Sequence, residues 1–198
     1  MTVIGPRRLA PATGPRGAVA PAPAPLPAAF RRALADLRTA RPRPEVRLRE
    51  IAAPAGQAPH AVALAAEVCG SPGADDVLAT GRFVLLHDPS PAARWPGGFR
   101  AVTWIRASLE PDVALDQLAG AVAWTWLVEA LERRHAEHTQ AGGTATRSIA
   151  EGFGTLGTAP DATDIELRAS WTPAPRDLGA HLEAWSDMIG AFAGLPPE

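Results

Sequence analysis

A chain of 198 residues, 46% apolar and 20% charged, is long enough for one domain with a substantial core. No apolar run reaches the roughly 18 residues of a membrane span, and Pro and Gly interrupt the opening where a signal peptide needs an apolar stretch, so a cytoplasmic location is expected. All 19 basic residues are Arg against 21 acids, and the missing lysine excludes a Schiff base, a phosphate-loop lysine and a kinase-type strand lysine.

Residues 1–26 are rich in Pro, Ala and Gly, with little to bury, and read as a disordered tail ahead of a single domain over 27–195. "PAAFRRALADLRTA" follows the helical period through Phe30, Ala33, Leu34 and Leu37, with Pro27 near the first turn and "RPRP" as the stop. Four strands are then expected. Residues 45–52 set Val46, Leu48 and Glu50 against Arg47, Arg49 and Ile51, and 59–68 place His60, Val62, Leu64, Ala66 and Val68 on one parity. "LATGRFVLLHD" and "FRAVTWIRASL" are the third and fourth, and the short Gly- and Pro-bearing links suit an antiparallel meander.

Glu110-Pro111-Asp112 opens a predicted helix to about His138, apolar nearly all round in "LAGAVAWTWLVEAL". Trp124 and Trp126 point about 200° apart on it. Such a helix is sandwiched between the sheet and another helix, or it forms a subunit interface. "GG" at 142–143 is expected to end that region, before a hairpin of residues 144–151 and 163–172. A last helix over 177–193 carries Leu178, Leu182, Trp185, Ile189 and Phe192 as one stripe, with Asp177 at the N-cap. The order α-ββββ-α-ββ-α predicts an α+β fold: a largely antiparallel sheet of about six strands with three helices on one face.

"ATGRFVLLHDP", "FRAVTWIRASLEPD", "ATDIELRASWTP" and "DLGAHLEAW" resemble an actinobacterial domain-of-unknown-function family, number three thousand in its series. The resemblance covers roughly residues 28–196 and implies an actinobacterial source. It brings no activity, ligand or site residue with it.

Local motifs argue for scaffold more than chemistry. "GFGTLG" at 152–157 matches a dinucleotide-loop pattern, but a strand follows where a helix is required. "ERRHAEH" puts Glu132, His135 and His138 at spacings that would suit zinc on a helix, though basic residues in a last turn simply complement the helix dipole. His87-Asp88 reads as a strand ending in a turn. Cys69 is alone, which excludes an intrachain disulfide or a cysteine metal cage, and no metal or cofactor is expected.

The constellation that remains is distributed over one parity of successive strands. It comprises Arg47 and Arg49, Arg82, Arg100 and Arg106 with Trp104, Arg147 with Glu151, and Arg168 with Glu166. With helices on the other face, these align on the uncovered one. Arginines around one aromatic suit a phosphate-rich or single-stranded nucleic acid; interleaved glutamates suit a solvated face of cross-strand ion pairs. Residues 31–49 add seven Arg against Asp36 and Glu45, a basic quarter facing an acidic remainder.

Three function classes follow. The first is a non-catalytic binding or adaptor module, similar in element order to small antiparallel chaperone domains such as type III secretion chaperones, and homodimeric through the helix around Trp124 and Trp126. The second is nucleic-acid binding through the arginine face. The third is an enzyme whose site carries no familiar motif.

Overall fold

Alternation of apolar and polar side chains builds one six-stranded sheet, seen in a computed structural model that describes residues 25–71, 76–90, 94–109, 118–156 and 162–196. Helix α1 spans Ala28–Thr39. Strands β1 to β4 span Val46–Ile51, His60–Cys69, Val77–His87 and Phe99–Ser108. Helix α2 covers Ala119–Arg133, β5 His138–Ala150, β6 Ala162–Pro173, and α3 Leu178–Phe192. Every strand pair is antiparallel, in the order β1-β2-β3-β4-β6-β5. The fold is α+β, with all three helices on one face. No helix among the described residues is long and apolar enough to cross a membrane.

Register sorts the two faces. Phe83 pairs with Leu64 and Thr103, and Thr103 pairs with Ala169. That parity, with Leu85, Ala101, Ile105, Leu167 and Trp171, is buried under the helices. Helix α3 lies against it so closely that a Cβ on Gly81 would come within 2.7 Å of Trp185 and Ile189. Only glycine allows this approach, and Phe83 then tilts against both Trp171 and Trp185, with ring centroids 6.4 and 5.7 Å apart.

The expected stripe of α3 is all buried, but so is nearly every other side chain of this helix, because α1 and α2 flank it. Its buried polar side chains are matched except the Trp185 indole N–H, which has no hydrogen-bond partner among the described residues. Asp187 takes a bidentate pair from Arg134 at 2.7 and 2.8 Å, Ser186 Oγ accepts the Arg43 backbone N–H, and His181 Nδ1 accepts the Trp171 indole N–H at 3.1 Å. Asp177 stands at the N-cap position with φ +50° and makes no side-chain cap; the Leu178 N–H is received instead by Asp36 of α1 at 3.3 Å.

Helix α2 is less enclosed than its composition suggests. Its inner side (Ala123, Leu127, Ala130, Leu131) is buried, while Leu118, Val122 and Trp126 remain exposed. Trp126 meets Phe192 of α3 edge-on at 5.8 Å, and Trp124 leans the other way, over Gly143 of β5. The predicted start at Glu110 lies outside the described residues, as does nearly all of the 1–26 tail.

The predicted end at His138 is wrong. The helix stops at Arg133, His135 takes φ +52°, and the Ala136 N–H reaches back to the Leu131 carbonyl at 2.8 Å. This is a Schellman-type stop with histidine in the place glycine usually fills. Strand β5 then begins at His138, so Gly142 and Gly143 lie inside it rather than ending a helix.

Two outcomes test this architecture. Trp171→Ala and Trp185→Ala each cost about 3–5 kcal/mol in denaturant unfolding, while Arg106→Ala leaves the midpoint nearly unchanged, because its side chain lies on the open face. Burial, with a smaller contribution from His138, lowers the His181 pKa to about 4, and burial also lowers that of His87. Both rings therefore bind protons less readily folded than unfolded. Stability is therefore complete above about pH 6.5 and falls as pH drops toward 4, by roughly 2 kcal/mol between pH 6.5 and 5 from His181 alone. Thermal melts across that range show the slope, and His181→Gln, which can still accept the indole N–H, flattens it.

Candidate functional site

The uncovered face is laid out in rows across the strands. Arg49 pairs with Ala65, Ala65 with Arg82, Arg82 with Trp104, Trp104 with Arg168, and Arg168 with Thr144. Three guanidinium groups and one indole thus stand in a single line across all six strands. About 7 Å along the strands, the next row on one side is Arg47, Glu67, Thr80, Arg106, Glu166 and Thr146. On the other side lie Ile51, Ala63, Val84, Val102, Ser170 and Gly142. An arginine–tryptophan row therefore separates a charge-alternating row from an apolar one.

Strong β-formers at the right parity put these residues there. Arg82, Val84, Trp104 and Val102 occupy the polar positions of β3 and β4, whose other positions carry Phe83, Leu85, Ile105 and Thr103 into the core. Where the rows meet β5, the side-chain-free Gly142, with the Gly143 backbone beside it, leaves a shallow concavity of about 480 Å³. Arg82, Val84, Val102, Trp104, Arg168 and Ser170 are among its walls.

Much of the charge is internally matched. Arg106 reaches Asp164 at 2.6 Å and Arg168 reaches Glu166 at 2.6 Å. Arg100 ties β4 to β6 and β5 through Ser170 Oγ, Thr172 Oγ1 and the Gln140 carbonyl. The Trp104 indole, and then Arg168 and Arg106, hold the Glu166 carboxyl below its ordinary pKa; hydrogen bonds from Arg106 and Ser108 do the same for Asp164. These carboxylates stay ionised, which suits pairing and not proton transfer near neutral pH. Arg49 and Arg82 are exposed and have no carboxylate within ion-pair distance among the described residues.

Of the residues expected on this face, Arg47, Arg49, Arg82, Arg100, Trp104, Arg106, Arg168 and Glu166 are brought together. Arg147 is not. It pairs with Ile165, a buried core position, and so belongs to the helix side of β5, while Glu151 lies beyond the strand's end. The inner positions of β5 are Gly143 and Ala145, kept small because Trp124 and Gly120 press on them. The apolar row was hidden in the sequence, although Val84 and Val102 on otherwise polar parities were its trace.

The remaining motifs resolve as structure. His87 ends β3, stacked on Phe99 at 4.3 Å and Phe30 at 5.8 Å, with Nδ1 3.0 Å from the Gly98 carbonyl; Asp88 Oδ1 accepts the Ser90 N–H in the following turn. An open depression of about 660 Å³ lies beside it, bounded by Pro27, Pro89, Trp95 and Pro96. The helix needed for the Glu132, His135 and His138 spacing is interrupted before His135, and among the described residues no group of three potential ligands could hold a metal ion. "GFGTLG" enters a short 3₁₀ turn over Gly154–Leu156 between two antiparallel strands, its last glycine lying outside the described residues.

Cys69 is fully buried at the end of β2. In the basic first quarter, Arg43 is buried; it pairs with Glu45 at 3.4 Å and donates to the Pro196 carbonyl at 2.7 Å, so part of that charge serves the fold.

Searches among curated proteins and among solved structures returned no match. Residues 26–198, which include the whole helix-and-sheet domain described above, match a family of proteins of unknown function, DUF3000, and the chain belongs to that family.

Proposed function

We propose that the protein is a cytoplasmic, non-catalytic binding module that holds a protein partner against its open sheet face and acts as a homodimer with α2 near Trp124 at the contact. The observation that carries this reading is the line Arg49, Arg82, Trp104, Arg168 beside the apolar line of Val84 and Val102. A polypeptide with neighbouring acidic and apolar side chains satisfies both lines at once: carboxylates accept from the guanidiniums and an apolar residue fills the concavity over Gly142.

The same arginines and indole support a second reading, single-stranded nucleic acid. Glu67, Asp164 and Glu166 on the face disfavour it, since each would repel a phosphodiester backbone.

A photoreactive amino acid at exposed Val102 in the full-length protein tests the choice in native cells. Covalent adducts with protein are expected, reduced about tenfold by Arg49→Ala with Arg82→Ala, the effect of losing charge-assisted hydrogen bonds. Adducts with nucleic acid alone, or none at this face, would overturn the proposal.

A further inference from the structure

The two edges of the sheet are built differently. At one edge, β1 has six residues, of which Arg47, Arg49 and Glu50 are charged. Charged, short strands are the usual protection of an edge against pairing. At the other, β5 has 13 residues, pairs among the described residues only with β6, and is exposed along its whole length from Thr139 to Ala150. Arg147 is its one charged residue beyond His138, and it contains no proline. A register shift between Thr139 and Gly142 distorts its start, but Gly142–Ala150 is a regular run of nine residues. Exposed apolar side chains sit at this end of the strand: Ile149 is 59% and Phe153 78% exposed.

We infer that two copies of the chain join along β5, antiparallel, about a twofold axis through Thr146. This rests on the homodimer part of the reading above and names its seam. The register uses all nine regular residues, placing Gly142 opposite Ala150 of the second copy, Gly143 opposite Ile149, Thr144 opposite Ser148, Ala145 opposite Arg147, and Thr146 opposite itself. Each pairing is compatible with its chemistry. On the open face, Thr–Ser and Thr–Thr are favourable cross-strand pairs. On the helix face, Ile149 lands over Gly143, the residue against which Trp124 leans, so two half-exposed apolar groups cover each other. Arg147 meets an alanine and never its own copy.

Ala121 and Val128 flank Trp124 at three and four residues on the same side of α2, and they extend the contact above the strands. With β5 and Phe153 they approach the lower end of the about 20–30 residues per side of a stable interface. An axis perpendicular to the sheet leaves both open faces on the same side. The two arginine rows, each ending at Thr144, then run toward each other across one continuous layer.

Light scattering on the full-length protein is expected to give the mass of a dimer. Thr146→Cys is expected to cross-link completely under mild oxidation, because residues directly opposite on antiparallel strands lie about 5 Å apart, within disulfide reach. Thr144→Cys alone does not cross-link, and Thr144→Cys with Ser148→Cys does; Cys69 is buried and takes no part. A monomer throughout the micromolar range, or cross-linking of Thr146→Cys no better than that of Thr144→Cys, would overturn the strand seam. A dimer that instead cross-links through Leu118→Cys on the outer side of α2 also removes the seam, yet leaves the homodimer standing, and photo-crosslinking at Val102 is independent of both results.

Discussion

The close approach of α3 to the sheet at Gly81 is the constraint on which the rest depends. With no Cβ there, Trp185 and Ile189 descend onto the strands, and Phe83, Trp171 and Trp185 form one aromatic cluster. Because α3 sits this low, α1 and α2 can close over its flanks, and nearly all of it becomes interior. A helix so enclosed must find partners for its polar groups within the protein, and among the described residues it does so for all of its buried polar side chains but the Trp185 indole. Arg43, Arg134 and Trp171 supply the partners for Ser186, Asp187 and His181, which ties the chain before β1, the end of α2 and the middle of β6 to the same helix.

Committing all three helices to one side has a cost elsewhere: among the described residues, one face of the sheet and both of its edges are left without a covering layer. An antiparallel sheet can tolerate a wet face if that face is polar. Here it is polar in an ordered way. The ion pairs Arg106–Asp164 and Arg168–Glu166 are exposed and contribute little to stability, so their consistent placement is not explained by folding energy. Among the described residues Arg49 and Arg82 are not engaged even to that extent, and Val84 and Val102 gain nothing from facing water. These are the features a bare solvent-facing sheet has no need of, and they lie side by side.

Where side-chain alternation was strong, the fold was legible from the residues. Val46, Leu48, Phe83, Ile105 and Trp171 fix the inner face of their strands without ambiguity, and the outward arginines follow automatically. Strand β5 is not legible in this way: its inward positions are Gly143, Ala145, Arg147 and Ile149, the first two too small to register as apolar, so the alternation does not show that Arg147 faces the helices. The end of α2 failed for another reason: "ERRHAEH" has ordinary helical residues, and only the positive φ of His135 stops the helix. The apolar row depends on strand register, which brings Val84, Val102 and Gly142 into line from three distant segments, and no local pattern encodes such an alignment. The cap of α3 by Asp36 is equally non-local.

The edge and the face are linked through the same small residues. Gly142 opens the concavity on one side of the sheet, and its neighbour Gly143 admits Trp124 on the other. A Cβ at Gly143 would stand 2.5 Å from the Arg168 carbonyl, so the glycine also permits β5 to come close to β6 at the point where the arginine row ends. An edge strand that is long and nearly uncharged invites pairing, whereas a short or charged one prevents it. A strand whose only role was to shield β6 would serve as well with larger or charged side chains facing water. The run of Gly, Thr, Ala and Ser in β5 instead keeps both of its faces low, which leaves room for a neighbouring strand and for the helix above it to come close.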